Sequence, residues 1–309
     1  MKTKFYSHGK LLLTAEYLIL DGAKALAVPT KKGQSLRVSE IEKNRISWKS
    51  IDCFGNTWFE QEYEITAAEF LPKKKLATSN KKEICQTLVK ILSYLRELQP
   101  ELFKETGYSL TTELEFPQDW GLGSSSTLIN NLATWAKINP YELLANTFGG
   151  SGYDLACAKH SNPILFQLQE NKNPLVEGVR FAPSFKDELF FVHLNQKQNS
   201  REGIEHYRKQ DLARKKEWIK KINEITTKTL NTSSILGFEN LIETHENILA
   251  NILGMPTVKE RLFKDYPRSL KSLGAWGGDF IIATGKDKEK AYFKEKGFST
   301  VIDFSEMVF

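Results

Sequence analysis

Ile84, Leu88, Ile91, Leu92 and Leu95 recur at steps of three and four residues until Pro100, a spacing that predicts an amphipathic helix from Lys82 onward. Tyr108, Leu110, Thr112, Leu114 and Phe116 alternate instead with their neighbours, predicting a strand that ends at Pro117 and runs into a glycine-rich turn. After that turn Leu128, Ile129, Leu132, Ala133 and Ala136 fall on one helical face. Upstream, residues 11–20 and 46–65 are rich in branched and aromatic side chains, and Phe54-Gly55-Asn56 breaks the second stretch as a hairpin turn. The chain is therefore expected to open with an antiparallel sheet. Further on, the pattern predicts a lysine-rich helical stretch over 203–230 and a helix over 233–253 closed by Gly254 and Pro256. Strands are expected at 187–194, 280–284 and 299–304, and an exposed helix at 286–296. This order predicts an α+β second half with helices on one sheet face. The stretch 173–184, which contains Pro and Gly, places a boundary near residue 182 and gives domains 1–182 and 183–309.

A length of 309 residues with 40% hydrophobic content suits a globular enzyme with two cores of roughly 150 residues each. The net charge of +5 is spread over 43 basic and 38 acidic side chains, a mixed surface that favours an anionic small molecule and gives no argument for nucleic acid. Cys53, Cys85 and Cys157 lie far apart without metal-ligand spacing and read as reduced thiols of a cytoplasmic protein. The apolar run Leu11–Leu13 and Leu18–Leu20 is interrupted by Glu16, which argues against a signal peptide, and no segment reads as a membrane span.

Three segments carry candidate chemistry. Gly121-Leu122-Gly123-Ser124-Ser125-Ser126-Thr127 sits between the predicted strand and helix, where glycines allow close backbone approach and free N–H groups favour a polyphosphate. It lacks the lysine of a Walker A loop; a plain strand-to-helix turn with a serine N-cap reads equally well. Lys10 and Glu16 flank an otherwise apolar strand, and buried lysines are rare unless paired. Gly149-Gly150-Ser151-Gly152-Tyr153-Asp154 delivers an aspartate to the start of the helix-like run 155–158, either as a functional carboxylate or as a helix N-cap.

Taken together, these segments resemble the superfamily of galactokinase, homoserine kinase, mevalonate kinase and phosphomevalonate kinase, the GHMP kinases. Gly9-Lys10 and Glu16-Tyr17 match the first motif, with His8 where proline and Ala15 where glycine are usual. Pro117 through Ser125 match the second without a gap, and Lys271-Ser272-Leu273-Gly274-Ala275-Trp276-Gly277-Gly278-Asp279 resembles the third, with Trp276 where glycine is common. The run 152–156, Gly-Tyr-Asp-Leu-Ala, resembles the subgroup named for a Gly-Tyr-Asp-Ile-Ala motif. The matches cover residues 7–279. The resemblance implies a two-domain α+β fold, an N-terminal domain like domain 2 of ribosomal protein S5 and a C-terminal ferredoxin-like domain.

It also implies ATP and Mg²⁺ as cofactors. Asp154 resembles the catalytic base of mevalonate kinase-like members, Lys10 the lysine beside that base, and Ser125 a magnesium-binding serine. Glu142 stands near the family's magnesium-binding glutamate, one residue further from Asp154 than expected. Residues 121–127 would hold the nucleotide phosphates, and Glu16, Tyr17, Gly277 and Gly278 would line the substrate. Glu16-Tyr17 and the segment 271–279 look more like phosphomevalonate kinase than mevalonate kinase. The implied activity is transfer of the γ-phosphoryl group of ATP to an alcohol or phosphate acceptor, mevalonate or its phosphate. The alternatives are a diphosphomevalonate decarboxylase-like enzyme, distinguished by release of carbon dioxide, and a non-catalytic ligand-binding protein of the same fold.

Overall fold

The computed structural model describes residues 3–169, 173–211 and 213–309. Strands β1 (Thr3–Leu12), β2 (Ala25–Ile41), β3 (Arg45–Ile51), β4 (Thr57–Ile65) and β5 (Phe70–Pro72) precede helix α1 (Ser79–Leu98). Strand β6 (Gly107–Leu114) then leads to helices α2 (Ser124–Ala136), α3 (Pro140–Ala145) and α4 (Tyr153–Lys159). The chain continues through β7 (Ile164–Leu168), β8 (Pro174–Gly178), β9 (Leu189–His193), α5 (Ser200–Arg208), α6 (Lys215–Asn231) and α7 (Ile235–Leu253). It closes with α8 (Val258–Leu262), β10 (Leu270–Leu273), β11 (Phe280–Thr284), α9 (Asp287–Glu295), β12 (Val301–Asp303) and α10 (Phe304–Met307). The fold is α+β, and none of the described helices is long and apolar enough to cross a membrane.

Contacts divide the chain into two compact units, each assembled from separated segments. The first contains the chain up to Gly9, Lys32–Gln118 and Gly123–Lys159. Its strands run in the order β5-β4-β3-β6 and end on the distal half of β2. β3 and β6 pair in parallel, with Ile46 opposite Tyr108, while the other neighbours are antiparallel. The strand period of two brings Leu36, Trp48, Tyr63 and Leu110 to one face, and the helical period brings Leu88, Ile91 and Leu92 of α1 and Ile129, Leu132 and Ala133 of α2 against it. Burying each large apolar side chain in such a core contributes about 1.5–3 kcal/mol.

The second unit contains Lys10–Lys31, Asp119–Leu122 and His160–Phe309. Residues Ala25–Ala27 of β2 pair with β7, which pairs with β8, and a separate antiparallel sheet runs β10-β11-β9-β12. β9 and β11 are buried along their whole length, which explains their unbroken apolar sequences Leu-Phe-Phe-Val and Phe-Ile-Ile-Ala. Phe190, Val192, Ile281 and Ala283 pack with Phe263, Tyr266 and Phe293, while on the other face Phe191 stacks on Phe304.

Several elements differ from the sequence pattern. The apolar run over 11–20 stops being a strand at Leu12, then turns through Ala15 and Tyr17, both at positive φ, into a 3-10 turn over Leu18–Asp21. The helical stretch over 203–230 is two helices, and between them the Asp211 carboxylate accepts the N–H of Ala213. The strand expected over 299–304 is confined to Val301–Asp303, and Phe304 instead opens α10. The segment from β7 onward, including residue 182, belongs to the second unit.

Candidate functional site

The loop over residues 121–127 passes from the second unit to the first between Leu122 and Gly123. In the first unit, Gly123 caps α2 in the left-handed conformation, φ 84° and ψ 42°, with no side-chain capping bond. An L-residue there would be strained by roughly 1–2 kcal/mol. Because glycine carries no capping oxygen, the first N–H groups of α2 remain directed at whatever lies before the helix, on its positive dipole end.

A buried polar ladder holds this helix start in place. Thr127 donates its hydroxyl to Gln34 Oε1 at 2.7 Å, and Asn131 Nδ2 donates to the Gln34 carbonyl at 2.9 Å. Ser7 donates to Asn131 Oδ1 at 2.8 Å and accepts from Asn130 Nδ2 at 2.9 Å. Polar side chains on an inward helix face are costly unless bonded, and here each finds a partner.

Asp154 lies inside the first turn of α4, one residue past its start. Gly152 before it has φ 83°, and a Cβ there would come within 2.8 Å of the Tyr141 ring, so only glycine lets the chain enter α4 on this path. Asp154 Oδ2 accepts a hydrogen bond from the Ser126 hydroxyl at 3.3 Å, while Oδ1 is buried with no hydrogen-bond partner. The carboxylate therefore does not cap its own helix. Of the remaining predicted residues in this unit, Ser124 is half-buried, Ser125 is exposed at the helix start, and Glu142 is exposed in the first turn of α3. Among the described residues, no group of three or more acidic, histidine or cysteine side chains could hold a metal ion. Ser125 offers a hydroxyl and Glu142 a carboxylate, oxygen donors of the kind Mg²⁺ takes.

In the second unit, Lys10 donates its ammonium to the Gly121 carbonyl at 3.0 Å and its backbone N–H to the Leu122 carbonyl at 3.0 Å. A Cβ on Gly121, which has φ 64°, would fall 2.3 Å from Asp279 Oδ2. Gly121 is thus gripped by a cation on its carbonyl and a carboxylate on its Cα. Burial raises the Asp279 carboxyl above its ordinary value, with nearby Lys10, Lys197 and His193 opposing. The start of the loop is anchored by His193 Nε2, 3.2 Å from the Asp119 carbonyl, and by Trp120 packed edge-on to Phe280.

Glu16 and Tyr17, expected to line the substrate, are both buried and both used internally. Glu16 pairs with Lys271, a lysine with no solvent exposure. Tyr17 Oη accepts the Trp276 N–H at 2.9 Å and its ring stacks on Tyr207. The left-handed turn through Ala15 is held by its N–H donating to His245 Nε2 at 2.9 Å. That acceptor role makes His245 a neutral ring, so its 3.3 Å approach to Glu16 Oε2 is not an ion pair; burial likewise drives its pKa well below the ordinary value. Gly277 and Gly278 pack under Arg261 and Gln198: a Cβ would lie 2.5 Å from the Arg261 guanidinium at the first and 1.8 Å from Gln198 Cγ at the second.

Glu246 and His245, which the sequence reading did not single out, complete the buried cluster. They had a signal: with Phe238, Ile242 and Leu249 they fall on the inward stripe of α7, where charged residues are out of place. Burial pushes up both carboxyls that face Lys271: Glu16, despite its direct contact with the ammonium, and Glu246, 4.0 Å from it, to about 8.

No protein-family model matches the sequence, and no curated protein matches it. Solved structures do match. Mevalonate kinase from L. major, in complex with R-mevalonate, superposes with a TM-score of 0.67 at 14% identity, covering 97% of this chain and 95% of that one. The chain adopts the GHMP kinase fold. Lactococcus lactis galactokinase complexed with galactose gives 0.66 at 13% identity, covering 95% and 88%. Streptococcus pneumoniae phosphomevalonate kinase, with phosphomevalonate and AMPPNP, gives 0.62 at 16% identity, covering 96% and 95%. The GHMP fold thus spans nearly the whole chain, as the ordered motifs implied.

Two outcomes test the buried cluster. Lys271→Met strands the Glu16 carboxylate, and breaking a buried pair from one side costs about 3–5 kcal/mol; thermal denaturation should show a drop of many degrees, partly recovered by adding Glu16→Gln. Glu246 ionises at about 4.3 in an unfolded chain and at about 8 in the native one. The folded state therefore binds the extra proton, and stability falls as pH rises between those values. Glu246→Gln removes that loss, so the melting temperature of the variant should gain on the parent from pH 5 to pH 8.5; a constant difference would place the proton elsewhere.

Proposed function

We propose that the protein is an ATP-dependent kinase that transfers the γ-phosphoryl group to a hydroxyl or phosphate of a small anionic acceptor, phosphomevalonate or mevalonate. The observation that carries this reading is the Asp154 carboxylate: one oxygen is bonded to the start of α2 and the other is buried without a partner. A helix cap would spend its oxygen on its own backbone, whereas a general base needs an oxygen free for the proton it takes.

Phosphoryl transfer asks a protein mainly for positioning and charge neutralisation. Gly123 and the N–H groups of Ser124, Ser125 and Ser126 form a start of helix suited to phosphate oxygens, and Gly121 and Leu122 lead into it under the grip of Lys10. Asp154 would orient the acceptor hydroxyl and take its proton, and Lys10 would stabilise charge on the transferring group. When bound with the nucleotide, Mg²⁺ neutralises phosphate charge; Ser125 and Glu142 are the residues assigned to hold it. The internal bonding of Glu16, Tyr17, Gly277 and Gly278 supports a role in shaping the acceptor site through backbone and packing.

ADP release measured over mevalonate, phosphomevalonate, homoserine and galactose identifies the acceptor; release of carbon dioxide with ADP would favour the decarboxylase chemistry, and no ADP from any of them would count against the kinase reading. Gly123→Ala should weaken ATP binding at least tenfold. Gly55→Ala is its control, since Gly55 has nearly the same φ, 83° against 84°, with open space around its Cα. Equal ATP affinity in the two variants would remove the phosphate role. Asp154→Asn keeps the side-chain shape and removes basicity, so kcat should fall by roughly 10²- to 10⁴-fold with little change in melting temperature; near-normal turnover would exclude Asp154 as the base.

A further inference from the structure

Three successive serines open α2, and they face different surroundings. Ser125 is exposed and Ser124 half-buried, but Ser126 is turned inward with 7% of its surface accessible. Its hydroxyl donates to Asp154 Oδ2. We propose that Ser126 is a positioning residue for Asp154: its side chain orients the carboxylate and leaves phosphate contact to the neighbouring backbone and serines.

A carboxylate rotates about its last bond in a broad, roughly two-fold well, so nothing intrinsic fixes which oxygen points where. Asp154 gains no such constraint from its own helix, because neither oxygen bonds the α4 backbone. The Ser126 hydroxyl supplies it by holding Oδ2, which leaves Oδ1 as the buried, unpartnered atom. The 3.3 Å separation is long for a hydroxyl donor. Hydrogen bonds of this kind commonly tighten when the reactants bind. Both ends of the contact are fixed by packing within one unit: Gly152 beside the Tyr141 ring sets the entry to α4, and the Thr127–Gln34 bond sets the first turn of α2.

The inference rests on the reading of Asp154 as the base, and kinetics on the full chain separate the two. Ser126→Ala should lower kcat by roughly 10- to 150-fold, the scale of one hydrogen bond to a charged group. KM for acceptor and ATP should stay within about twofold, and the melting temperature should fall by no more than a few degrees, since the helix preference of alanine offsets part of the lost bond. Ser126→Thr, which keeps a hydroxyl, should recover most of kcat. Ser126→Ala added to Asp154→Asn should cost nothing further. Wild-type kcat in Ser126→Ala alongside a crippled Asp154→Asn overturns the positioning role alone, as does a raised KM for ATP, which would make Ser126 a phosphate ligand. Full activity in Asp154→Asn overturns the base and its positioning together. Crystal structures of both proteins provide a readout that needs no acceptor: the Asp154 carboxylate should turn or split in Ser126→Ala, and an unchanged orientation refutes the proposal.

Discussion

The contact on which the second unit depends is the fully buried pair between Lys271 and Glu16. An ammonium in a protein interior must be matched nearly atom for atom, because its desolvation cost is several kcal/mol and only close partners offset it. Lys271 meets that demand with Glu16 and the Ser272 carbonyl. In doing so it ties two segments far apart in sequence, the turn after β1 and the stretch that begins at β10. Tyr17 adds a second tie through the Trp276 N–H, and His245 a third by accepting from Ala15. These bonds offset the strain of two non-glycine residues at positive φ, each of which costs on the order of 1–3 kcal/mol on its own. They also set where the chain reaches Asp279, and hence the carboxylate that rests on Gly121.

This arrangement changes how two motifs should be understood. Glu16 and Tyr17 stand at positions where a resemblance suggests substrate contact, yet the Tyr17 hydroxyl and Glu16 Oε1 are occupied by the protein itself, and Glu16 Oε2 is buried without a hydrogen-bond partner. Gly121 and Gly277 hold positive φ, and a Cβ at Gly121 or Gly278 would run into the Asp279 carboxylate or the Gln198 side chain. Close approach of a ligand is not needed to explain those glycines. Gly123 shares the positive φ of Gly121 and Gly277 and differs in leaving a helix start without a capping side chain.

Elements with a clean period were legible from sequence. α1 and β6 follow spacings that a single buried face imposes, and β11 is an unbroken apolar run buried along its whole length. The 17-residue β2 was not, because Pro29, Gly33 and the polar run around Lys31 and Lys32 break any alternation, and the strand serves different partners along its length. Long-range pairing decides such a strand, and local pattern carries no trace of it. At the site, the Gly-Leu-Gly-Ser-Ser run and Asp154 could be singled out because glycine placement and an aspartate at a helix start are local signals. That Lys271 meets Glu16 and Glu246 could not be read, since the three come from distant stretches, even where each is out of place in its own apolar pattern. Ser126 was visible only as one more hydroxyl in a loop; its direction depends on the radial position it takes in α2.

The segmented make-up of the two units has a consequence during synthesis. All parts of the first unit have been made once Lys159 has been added. Residues Lys10–Lys31, in contrast, belong with His160–Phe309, and Thr30 pairs with Val308. A nascent chain on the ribosome therefore holds an early apolar stretch, including Leu11–Leu13 and Leu18–Leu20, whose unit cannot assemble until segments beyond His160 have been made. At about 5–20 residues per second the wait lasts many seconds, long enough for a chaperone or a neighbouring nascent chain to find that stretch first.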